Sequence, residues 1–153
     1  MTSDSVTLQS SPSWHTGRSI GAVLAGFFAV VVLSLGTDVA LHAARITPPL
    51  GQRMSDPLFL LATAYRTVYG VAGSYITARL APNRPMQHAL AGGVNGLILC
   101  TVGAVVTWNQ VPSLSPHWYP VALIATALPG AWLGGRLRAM QLGPRADNQR
   151  ITK

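Results

Sequence analysis

The chain is 153 residues long, 49% hydrophobic and only 10% charged, where a soluble domain carries about 25% charged residues. It has no glutamate; its four acids are Asp4, Asp38, Asp56 and Asp147, against a net charge of +7. So few charges cannot make a water-soluble surface. The eleven basic residues are scattered singly, mainly at segment ends, which argues against nucleic acid as a partner and for a lipid bilayer as solvent.

Residues 1–17 are rich in Ser and Thr and lack periodic apolar spacing, so a disordered cytoplasmic tail is expected. From Arg18 the chain turns apolar as far as Ala44, and a first membrane helix is expected near 19–44. A signal peptide would have an apolar region of about 7–15 residues followed by a small-residue cleavage site. The run from Ser19 to Thr37 is longer, and Asp38 and His42 stand where cleavage would fall.

Residues 45–56 form a loop stopped by Pro48-Pro49, with Asp56 as the expected cap of the next helix and Pro57 at its first position. The second helix, 57–80, would be about 36 Å long, enough to cross a core of about 30 Å. APNRP is a tight connection. The third helix is expected at 86–108 and the fourth at 118–138, kinked at Pro129. Residues 18–138 thus make one four-transmembrane-helix domain, and residues 139–153 a basic, unstructured cytoplasmic tail.

With four crossings, both termini and the 81–85 loop share a side. That side has Arg18, Arg79, Arg84, Arg136, Arg138, Arg145, Arg150 and Lys153, and the other only Arg45 and Arg53. The positive-inside rule places both termini in the cytoplasm. The octets Gly73–Leu80 and Gly130–Leu137 share three identities, Gly, Arg and Leu, and each end a helix on that side. A duplicated helical hairpin would produce this echo, and so would chance with shared interfacial needs.

Lipid tails give helices no hydrophobic reason to associate, so close packing depends on small residues. Gly70 and Gly73 share a face of the second helix with Arg66. Gly92, Gly96 and Gly103 fall at helical spacing on the third helix, and Gly130 and Gly134 on the fourth. These stripes are read as helix-packing surfaces.

Arg66 is the one base inside the apolar runs, and its guanidinium stays charged at any ordinary pH. Asp38 is the acid available to it. Counted from the outer helix ends, Asp38 lies about 9 Å deep and Arg66 about 13 Å deep, a difference the arginine stem can close. Ser34, Asp38 and His42 lie one above another on the first helix, and Tyr65 and Tyr69 add hydroxyls at the same level. This intramembrane polar site is either a structural ion pair that fixes the register of two helices or an ion or proton site with His42 as relay.

No catalytic residue, metal site or cofactor is expected. The sequence has no glycine-rich phosphate loop followed by lysine and no paired carboxylates. Its four histidines are widely spaced, and Cys100 is a single cysteine inside an apolar run.

Thr37-Asp38 late in the first helix, Tyr65-Arg66 in the second and Ala81-Pro82 closing it form a recurring pattern. Pro116-x-Trp118-Tyr119 and Pro129 before Gly134-Gly135 complete it. Across roughly residues 19–137 the chain resembles a loose group of small four-helix bacterial inner-membrane proteins of unassigned function. The resemblance implies an all-α membrane bundle in the inner membrane and carries no functional residues with it. The function expected is a structural or accessory subunit that binds its own copies or another membrane protein. The alternative is a subunit of a small oligomeric transporter or channel.

Overall fold

The computed structural model describes residues 13–49, 51–109 and 115–148. Among them the chain is all α-helical, with no strand: α1 is Ser13–Ala43, α2 Asp56–Leu80, α3 Pro85–Thr107 and α4 Trp118–Asn148.

Helix boundaries follow local chemistry. α1 ends in a Schellman arrangement: the Arg45 amide donates to the His42 carbonyl at 3.0 Å, and the Ile46 amide to the Leu41 carbonyl at 3.0 Å. This requires a left-handed residue, and Arg45 supplies it at φ 57°. The N-cap of α2 is Ser55, whose carbonyl accepts from Leu58 at 3.0 Å, with Pro57 in the first turn. Asp56, expected as the cap, lies inside that first turn and pairs with Arg53 at 3.8 Å on the surface. Ala81 is extended at ψ 130° and ends α2, because Pro82 disfavours a helical residue before it. Arg84, left-handed at φ 47°, starts α3 in front of Pro85.

Two expected tails are shorter than the sequence suggested. Residues 13–17 already belong to α1, and α4 continues past 138 to Asn148. Extending an existing helix is cheap compared with nucleating one, and Arg138, Met140, Gln141 and Leu142 are good helix formers. The extension is tied to α2, where the Tyr75 hydroxyl donates to Gln141 Oε1 at 2.9 Å. Residues 1–12 and 149–153 of those tails lie outside the described residues.

α2 is the central helix. It packs against α1, α3 and α4; α3 packs on α4 and touches α1, while α1 and α4 do not meet. The interior is built from small side chains: Ala22, Ala62, Ala78, Ala89, Ala104 and Ala131 are buried, with Phe59 and Thr77. Five glycines let the backbones approach. Gly26 of α1 lies against Gly73 and Thr77 of α2, and Gly134 of α4 against Val71 and Ser74 of α2. Gly93 of α3 meets Ala131 of α4, and Gly135 of α4 meets Ala89 and Met86 of α3. At one end of the bundle Phe59 packs its ring 4.9 Å from that of Tyr119 and 6.4 Å from that of Trp118.

The large apolar side chains point the other way. Val39 is 68% exposed and Val105 72%, and all four helices carry others. Two helical stretches, Gly17–Ala43 and Pro85–Thr107, are long and apolar enough to cross a membrane. α2 and α4 fall short of that measure because Thr, Tyr, Ser, Gly and Arg dilute their apolar residues.

Candidate functional site

The site lies between α1 and α2. Asp38 projects from the last third of α1, and Tyr65 and Arg66 are neighbours on α2, which runs antiparallel to it. Arg66 Nη2 donates to Asp38 Oδ2 at 2.6 Å, a charge-assisted bond. The Tyr65 hydroxyl donates to Asp38 Oδ1. Both carboxylate oxygens are therefore engaged by α2. One turn along, Thr37 Oγ1 and the Tyr69 hydroxyl are 2.8 Å apart, and the Tyr65 and Tyr69 rings stand 5.7 Å apart. Asp38, Arg66 and Tyr65 thus form one hydrogen-bonded group and Thr37 and Tyr69 a second, the two joined by the tyrosine ring contact.

Arg66 is supplied asymmetrically. A guanidinium offers five donors, and Asp38 accepts one of them in this arrangement. Arg66 Nε is buried without a hydrogen-bond partner among the described residues. The two charged side chains stay 35% and 36% exposed, for Arg66 and Asp38 respectively.

That exposure faces a half-open cavity of about 600 Å³ lined by residues of all four helices. Asp38 and Arg66 border one end of it together with Tyr119, and Ser34 and Cys100 line it nearby. Farther along α2 and α4, Thr67 Oγ1 donates to Thr126 Oγ1 at 3.4 Å. Thr37, Tyr119 and Cys100 were not singled out as site residues by spacing. Thr37 carried a signal in lying next to Asp38, whereas Tyr119 and Cys100 reach the site only through tertiary packing.

His42 is on the same face of α1 as Asp38 but is not joined to it. Its ring is exposed, with Nδ1 3.5 Å from Thr47 Oγ1 at the end of the helix. Among the described residues no direct hydrogen bond joins His42 to Asp38.

The expected packing glycines do not all play that part. Gly73, Gly130 and Gly134 are helix contacts: an added Cβ would meet Gly26 and Val30 at Gly73, Val71 at Gly130, and Val71 and Ser74 at Gly134. Gly70, Gly96 and Gly103 are not, because an added Cβ would meet nothing within 4 Å; all three line the cavity. Gly92 is intermediate, its added Cβ falling 3.8 Å from Thr77 Oγ1. Among the described residues no group of three His, Cys, Asp or Glu side chains is placed to hold a metal ion.

Comparison with protein-family models, curated proteins and solved structures gives no match. The functional reading therefore rests on the geometry.

Proposed function

We propose that this chain is an integral protein of a bacterial inner membrane, multi-pass with both termini cytoplasmic. In this reading it acts as a structural or accessory subunit for its own copies or another membrane protein. One observation carries the reading: the interior is alanine and glycine, while valines, leucines and isoleucines of all four helices face outward. Burying one such side chain is worth about 1.5–3 kcal/mol, so exposing all of them to water would be prohibitive for a chain this short. A surrounding bilayer removes that cost and explains why small residues are kept for helix contacts. The orientation follows from the unequal distribution of arginines between the two ends.

In this reading the Asp38–Arg66 pair with Tyr65 locks the α1–α2 hairpin. A lone charge at mid-helix costs about 2.5–3.5 kcal/mol on insertion scales, and pairing recovers part of it. No catalytic role is proposed.

A second reading, a subunit of a small oligomeric transporter or channel, is favoured by the cavity beside the pair. The first test is whether the protein stays in membranes washed with alkaline carbonate; release would end both readings. Light scattering of the detergent-solubilised protein then separates them. A ring of copies around a shared pore supports transport, and a monomer or a single stable partner supports the accessory role.

A further inference from the structure

The cavity has a direction. Its lining runs along α1 from Gly26 to Asp38, about 18 Å at helical rise. Most of that length is apolar or bare backbone, with Val30 and Leu123 on one part and Gly96 and Gly103 of α3 on another. Charge is confined to one end, where Asp38 and Arg66 sit.

The chemistry of that end is specific. Asp38 has one oxygen on Arg66 and the other on Tyr65. Arg66 has more donors than one carboxylate oxygen can use, and its side chain borders the cavity. The pair is neutral as a unit, so what it offers is donor capacity without net charge. A carboxylate or phosphate head group would bring a second negative charge beside Asp38. An ammonium head would sit against Arg66. An uncharged acceptor meets neither penalty.

The cavity opens on one side, where its lining residues Leu35, Leu99 and Gly103 are exposed, so a slender apolar chain can enter it from surrounding lipid.

We propose that the cavity binds an elongated amphiphile whose apolar chain lies along the Gly96 and Gly103 backbone of α3. Its head is an uncharged carbonyl oxygen, of an ester or ketone, that accepts from Arg66. The proposal rests on the membrane reading for the source of the ligand, since the bilayer is where such molecules dissolve.

The test uses the full chain in isolated membranes and two photoreactive probes, the methyl ester of a diazirine-bearing fatty acid and the free acid. After irradiation, adducts are mapped by peptide mass spectrometry. The ester should label the cavity residues Val30, Leu123 and Ala127, at least five-fold more than the acid does. Outward residues such as Val32 and Val106 should take both probes equally. Gly96→Leu places a side chain in open space, so the variant should fold with an unchanged melting temperature and lose cavity adducts at least five-fold. Arg66→Gln takes away the donors offered to the carbonyl and leaves Asp38 as a net negative charge, so it should lower ester adducts in the cavity without admitting the acid. Labelling confined to outward residues overturns the site, as do cavity adducts that survive Gly96→Leu. Equal cavity labelling by ester and acid overturns the uncharged head. Carbonate extraction of the same membranes reports separately: protein released yet labelled in the cavity ends the membrane reading alone, and protein retained but unlabelled there ends this inference alone.

Discussion

Gly26 of α1 and Gly73 of α2 meet backbone to backbone: a Cβ added to Gly73 would lie 2.8 Å from the Gly26 carbonyl oxygen. The same α1–α2 interface is held at its other end by Asp38 and Arg66. From Gly26 to Asp38 is about 18 Å of helix, and from its other α2 neighbour Thr77 to Arg66 about 17 Å. The spans match, so close approach and ion pair are satisfied in one register. Shifting either helix by a turn would lose both.

Close packing at Gly26 makes it sensitive to one methyl group. Gly26→Ala should destabilise the bundle by about 1–3 kcal/mol, because the added Cβ overlaps the Gly73 carbonyl and Thr77. Gly103→Ala should be neutral or stabilising by up to about 1 kcal/mol, since its Cβ meets nothing and alanine is the better helix former. Unfolding of both variants in one detergent checks the contrast. Equal losses at the two positions would mean that α3 packs where a cavity is described.

The helices were legible because prolines punctuate the chain: Pro57, Pro82 and Pro85 fall at or beside helix ends, and Pro48-Pro49 lie in the loop after α1. The Asp38–Arg66 contact was legible because apolar runs offer a buried arginine so few acids. Which glycine of a neighbouring pair meets another helix was not. Gly92 and Gly93 are about 100° apart around α3, as are Gly134 and Gly135 around α4, and sequence spacing does not fix a helix's rotation. The structure turns Gly93 toward Ala131 and leaves Gly96 and Gly103 facing the cavity. The reach of α4 past 138 was hidden for a similar reason. A polar, basic composition reads as tail, while the anchor at Tyr75 lies far away in sequence.

Arg45 at φ 57° closes α1 in a conformation that costs a residue with a Cβ about 1–2 kcal/mol. Arg45→Gly removes that strain and gives back part of the gain through the freer unfolded chain. A net stabilisation of about 1 kcal/mol is expected, visible as a higher melting temperature. A loss would show that the arginine side chain holds the end of α1 by an interaction worth more than the strain.

Under the proposed topology, a reporter active only outside the cytoplasm should be silent when fused after Lys153 and active when inserted in the 45–56 loop. The reverse pattern would overturn the orientation and with it the assignment of the Asp38 end of the cavity to the outer half of the membrane.

The sharpest prediction concerns the pair itself. Asp38→Asn leaves the Arg66 charge without its partner, and Arg66→Gln does the same to Asp38. Each should cost about 2–3 kcal/mol, the order of an unpaired charge at mid-helix. The double variant removes both charges together and should cost less than the sum of the two, because the penalty of an orphaned charge is then absent. Tyr65→Phe removes one hydrogen bond to Asp38 and should cost about 1 kcal/mol. Combined with Asp38→Asn, it should add less than it does alone, since the acceptor it serves has changed. Thermal unfolding of the five variants and the parent in one detergent gives all of these couplings. Strict additivity of Asp38→Asn and Arg66→Gln would mean that the 2.6 Å contact carries no energy. If the variants instead unfold like the parent but fail to support a function of the cell, the pair is a working site. The transporter reading would then displace the accessory one.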